Sequence, residues 1–183
     1  MTAFAQRTVD VGSKYRYDSS AGRIDLCPKN ACAYRCCDFQ QGNYIVLFPG
    51  ELEEATARGD SVAHLRIMAH EFGGYRAICE ARDTSTCDGG YKPLDCQSYP
   101  FFPTLQPDRD EVGMMSKGRK CPLEGAEISG HQDWVRATWN RLISSREQVG
   151  QWLRRVTLVG YDPPVGDAAG QPMTVPDSRA PGR

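Results

Sequence analysis

The sequence contains no apolar run of the roughly 20 residues that a membrane-spanning helix requires. Its first residues, Met-Thr-Ala-Phe-Ala-Gln-Arg-Thr-Val-Asp, include no stretch resembling the apolar segment of a secretory signal. A cytoplasmic location is therefore expected, where thiols are kept reduced. An excess of either charge is also missing. There are 22 basic and 23 acidic residues, so no whole-molecule field draws the chain to nucleic acid or to a membrane surface. Neither is expected as a partner, and a protein partner is left open. Glycine pairs at Gly73-Gly74 and Gly89-Gly90 read as turns, with no phosphate-loop lysine beside them. No glycine-rich motif follows a strand in the way nucleotide or S-adenosylmethionine binding by dinucleotide logic requires. Histidine is scarce, at three residues. His64 and His70 on one strand would lie roughly 20 Å apart at ~3.3 Å per residue, so both read as surface or core residues. His70-Glu71 lacks the second histidine of a zincin helix. His131 falls near the start of a helix, and no side chain is singled out as catalytic.

What the chain does have is sulfur. Cys27, Cys32, Cys36 and Cys37 fall within eleven residues, and Cys79, Cys87, Cys96 and Cys121 follow. Thiols this dense either bind a soft metal centre or pair as disulfides. A reducing compartment and a chain of this length favour metal over a disulfide framework or incidental buried thiols. Adjacent Cys36 and Cys37 also resist bridging each other, because the peptide between them would be strained. Thiolate suits zinc and [4Fe–4S] clusters, and four thiolates satisfy either, so the iron–sulfur and zinc readings both stand. Neighbouring residues seldom aim both side chains at one ion, so Cys36 and Cys37 are expected to serve different centres, or one to stand behind the ligands. Lys29, Arg35, Lys92, Lys117, Arg119 and Lys120 lie within a few residues of a cysteine. About one residue in eight is basic, so that proximity alone carries little weight.

The remaining pattern predicts a small single α+β domain with a loop-rich, metal-organised half. Residues 1–26 form a polar lead-in, 27–160 the cysteine-cluster domain, and 161–183 a Pro/Gly-rich tail expected to be disordered. Asn43–Phe48 reads as a buried strand ended by Pro49-Gly50, and Glu51–Arg58 as a helix with acids in its first turn. Val62–Cys79 reads as a β-hairpin with a two-residue turn at Gly73-Gly74. Cys79–Cys121 reads as loops with short turns, a length that something other than an apolar core must organise. Trp134, Thr138, Leu142, Val149, Trp152 and Val156 predict one long amphipathic C-terminal helix over His131–Val156, with Gly150 as its weak point. Tyr99, Phe101 and Phe102 are placed to line a pocket beside Cys96, or to pack around it.

The order Cys27-x4-Cys32-x3-Cys36-Cys37, an apolar strand ending at Glu51, Cys79, Cys87, Tyr91-Lys-Pro-Leu-Asp-Cys96-Gln-Ser-Tyr-Pro100-Phe101 and Cys121-Pro122 resembles the YkgJ-like cysteine-cluster family. That family is also described as a CxxCxxCC, zinc- or iron-chelating domain. Residues 27–122 carry the resemblance, and all eight cysteines have a counterpart in it. Two arginines of its signature are Lys92 and Gln97 here, which weakens any role needing a bidentate guanidinium at those positions. The resemblance implies a metal site formed by the eight thiols without naming a reaction. The function expected is a cysteine-cluster metalloprotein with a redox, sensing or metal-handling role. Two alternatives stay open: an enzyme using the centre for redox chemistry or for protein lysine N-methylation (one branch is similar to flagellin lysine N-methylases), and a zinc-stabilised interaction module.

Overall fold

The computed structural model describes residues 35–39, 42–84, 86–105, 109–125, 128–156 and 158–165. Cys27, Cys32, the lead-in and residues 166–183 lie outside them. Two antiparallel three-stranded sheets and four α-helices make up the described chain, which is the α+β composition expected.

The first sheet is built as its patterning predicts. Strands β1 (Ile45–Leu47), β2 (Leu65–Ala69) and β3 (Tyr75–Cys79) pair in the order β1-β3-β2. The β2–β3 register runs from Leu65 opposite Cys79 to Ala69 opposite Tyr75. The connection is a five-residue loop over 70–74, not a two-residue turn, and is closed by His70 N–H donating to Gly74 O at 3.1 Å. Gly74 has φ +66°, and a Cβ there would stand 2.2 Å from Leu47 O, so this tight packing of the hairpin on β1 requires glycine. After Pro49-Gly50 comes α1 (Glu51–Ala57), as predicted.

The loop expectation for Cys79–Cys121 is corrected. That segment holds α2 (Leu94–Ser98), β4 (Phe101–Leu105) and β5 (Val112–Gly118). Tyr161–Val165, assigned from sequence to the tail, forms β6 and completes a second sheet ordered β4-β5-β6. The long helix is also divided. It forms α3 (Ser129–Ser145) and α4 (Glu147–Leu153), broken at Arg146 with φ −146° and ψ 92°. Gly150 lies inside α4, where a Cβ would meet Ile143 Cγ2 at 3.2 Å, so its bareness lets α4 approach α3 closely.

Two apolar clusters result. The larger packs Trp139, Trp152, Phe48, Phe102, Met115, Leu142 and their neighbours between the second sheet and α3–α4. The smaller is Ile45, Leu47, Leu65 and Ala77 on the first sheet, with Cys79 and Cys96 at its border. No helix among the described residues is long and apolar enough to cross a membrane.

Candidate metal centre

The short helix α2 carries Cys96 and is clamped at both ends by buried polar groups. Glu51, only 2% exposed, accepts three hydrogen bonds: from Leu94 N–H at 2.6 Å, Tyr91 O–H at 2.8 Å and Phe48 N–H at 3.0 Å. Burial pushes its carboxyl up to about 7 against the pull of those donors. Asp95 accepts from Val46 N–H at 2.9 Å and from Tyr161 O–H at 3.3 Å, and burial raises it to about 6. At the other end of α2, Trp139 Nε1–H donates to Ser98 Oγ at 2.9 Å. His131 Nε2 lies 3.1 Å from both Ser98 O and Tyr99 O, and the ring stacks on Trp134. Sequence reading took Glu51 for a first-turn helix acid and missed this hub. Its one visible sign was its position directly after Pro49-Gly50.

Beside α2 lies a cavity of about 140 Å³. Five of the six described cysteines line it: Cys36, Cys37, Cys79, Cys87 and Cys96. They come from a 3₁₀ turn (Arg35–Cys37), the end of β3, a second 3₁₀ turn (Cys87–Gly89) and α2. No disulfide joins any of the six described cysteines. Cys36 and Cys37 stand with Sγ atoms 3.9 Å apart, at hydrogen-bonding distance for thiols and well beyond an S–S bond. Cys87 and Asp88 both adopt φ +52°, a conformation that costs side-chain-bearing residues about 1–3 kcal/mol each. The Asp88 carboxylate holds that turn by accepting from Asp83 N–H at 2.8 Å and Arg82 N–H at 3.0 Å. Cys121 is placed elsewhere, buried in the larger core and not on the cavity wall.

The electrostatics of the wall favour neutral thiols in the metal-free protein. The hydrogen bond to Cys37, then burial, raises Cys36; burial raises Cys79, Cys87 and, most strongly, Cys96. Lys92 pulls all four the other way. Of the basic residues noted in the sequence, Lys92 and Lys120 line the cavity, and Lys120 Nζ donates to Asp38 O. Lys117 and Arg119 pair instead with Glu124 and Asp162. Tyr99 reaches the cavity, whereas Phe101 and Phe102 belong to the larger core. As the side chains stand, no three His, Cys, Asp or Glu groups among the described residues surround a common point that could hold a metal ion. The donor set is nevertheless of the right chemistry, because soft sulfur is the wall's most frequent potential ligand. No family model, curated protein or solved structure matches this chain.

Proposed function

We propose that this protein is a cysteine-cluster metalloprotein, binding zinc or an iron–sulfur cluster through its thiolates in a redox, sensing or metal-handling role. The observation that carries the reading is the convergence of five thiols, from four separate stretches of chain, on one cavity. An apolar core has no need of sulfur gathered in that way, and in a reducing environment the chemistry that uses it is metal ligation. The charges of Cys79 and Cys87 reach Cys96, and that of Cys79 reaches Cys87, which supports their service at one centre. Lys92 would offset the negative charge that a thiolate-rich centre accumulates. The resemblance of residues 27–122 to the YkgJ-like cysteine-cluster family points the same way, and on that reading Cys27 and Cys32 add ligands. Cys121, buried apart, is the weakest member of the predicted set.

A bound metal would supply the positive charge that ionises these thiols, and its uptake would release protons. Clamped by Glu51, Asp95, Ser98 and His131, α2 holds Cys96 in place, its Gln97 side chain donates to Lys92 O, and the strained turn presents Cys87. Purification without oxygen tests the proposal. A brown protein with broad visible absorption, iron and acid-labile sulfide identifies a cluster, and a colourless protein with stoichiometric zinc identifies a zinc site. Protein carrying neither, and taking up neither when they are supplied, refutes the proposal.

A further inference from the structure

We propose that His64 is a nitrogen donor to this centre, making it a mixed sulfur–nitrogen site rather than an all-thiolate one. The inference rests on the metal-binding reading above. His64 immediately precedes β2, is only 6% exposed, and lines the same cavity as the five thiols. Its Nε2 is buried without a hydrogen-bond partner. A buried polar atom left unmet is destabilising, and a metal bond would meet it.

The ring is held by the local backbone. Glu80 N–H donates to His64 O and Tyr91 N–H to Ser61 O, both at 2.7 Å, tying the start of β2 to the segment that carries Lys92. A Cβ at Gly90 would lie 2.5 Å from His64 Nδ1 and 2.7 Å from Cε1, so the ring rests against a position only glycine can occupy. Nε2 is therefore the ring nitrogen left to take a ligand. Burial lowers the ring's proton affinity and keeps it in the neutral form that ligates. The other two histidines are engaged elsewhere. His131 Nε2 faces Ser98 O and Tyr99 O, and His70 Nδ1 accepts from Phe72 N–H at 3.2 Å away from the cavity wall. Among the described residues no three donors surround one point as placed, so binding would draw thiols onto a nitrogen whose position the backbone already sets.

X-ray absorption on the zinc-loaded full chain tests this directly. The expected spectrum contains a nitrogen at about 2.0–2.1 Å beside sulfurs at about 2.3 Å. His64→Gln should lose the nitrogen contribution, keep the sulfurs, and bind zinc ~10-fold or more weakly. Gly90→Ala, which displaces the ring while leaving an imidazole in the chain, should lose the same nitrogen and recover it in no rearranged form. Should His64→Gln fail to fold, the wild-type spectrum and Gly90→Ala decide. A wild-type site of sulfur alone, or an unchanged spectrum and affinity in either variant, overturns the His64 assignment and leaves thiolate binding intact. A wild-type chain that takes up no zinc overturns both.

Discussion

The two halves of the molecule are held together by different means. Around the second sheet, seventeen buried apolar side chains pack into one cluster, with Trp139 and Trp152 stacked near its centre. The first sheet has a buried cluster of only four, bordered by half-buried side chains such as Leu52, Val62 and Tyr75 and, on one side, by the thiol cavity. A core of the first kind is sufficient by itself, since each large side chain buried contributes roughly 1.5–3 kcal/mol. A cluster of four contributes less, and the metal proposed for the sulfur-lined wall would supplement it. On the proposed reading, one domain divides its stability between a self-sufficient apolar half and a half that bound metal would reinforce. Glu51 and Asp95 are the buried joints between them.

The largest effect should come from the apolar half. Trp139→Ala removes a side chain 1% exposed and packed against Phe48, Phe102 and Trp152. A loss of about 3–5 kcal/mol is expected by urea denaturation, with or without metal. Dependence on metal in that loss would break the comparison.

Next comes the joint. The Glu51 carboxyl is raised from 4.5 to about 7, so between those values the folded chain holds a proton that the unfolded chain has released. Its contribution therefore disappears as pH rises through that window, by about 3 kcal/mol in all. His64, His70 and His131, lowered from 6.5 by burial, act in the opposite direction because the unfolded chain protonates first. The measure is accordingly the stability difference between wild type and Glu51→Gln in the metal-free protein, followed from pH 4.5 to pH 7.5. That difference should move in favour of the glutamine as pH rises, and a constant difference would show that Glu51 is ionised throughout.

Cysteine substitutions should be smaller still without metal and larger with it. Cys79→Ser in the metal-free protein is expected to cost about 1 kcal/mol or less, whereas the metal-loaded protein should lose its ligand-linked stabilisation. Equal calorimetric losses in both forms would mean that Cys79 only packs. Smallest of all is Arg66→Ala. It breaks the 2.7 Å ion pair to Glu80 in which both side chains are more than half exposed, and should change stability by no more than about 1 kcal/mol.

How much of this was legible in the sequence depended on whether local pattern and tertiary setting agreed. The hairpin was readable because Leu65 and Ile67 alternate with polar neighbours and Gly73-Gly74 punctuate them, although the loop is longer than a glycine pair suggested. The second sheet was not readable. Its outer strands β4 and β6 contain Pro103 and Pro163-Pro164, tolerated because edge strands can dispense with donors on one side. Its central strand β5 is buried at every third residue, Val112, Met115 and Gly118, so no period of two appears. The helix break went to Arg146 rather than Gly150 for a tertiary reason: the Arg146 guanidinium pairs with Glu54 and lies over the Phe48 ring. At the site, the clustering of cysteines was visible from spacing alone. That His64 lies on the cavity wall and Cys121 off it depended on folding contacts that no local pattern encodes.

The central claim is that the gathered thiols hold metal, and quantitative elemental analysis tests it most directly. The comparison is between anaerobically prepared wild type and a variant with Cys79, Cys87 and Cys96 all changed to serine. The account predicts zinc, or iron with acid-labile sulfide, in stoichiometric amount in the wild type and its loss in the folded variant. Equal metal content in the two proteins, or a wild type that carries none while its thiols react freely with a thiol reagent, would contradict it.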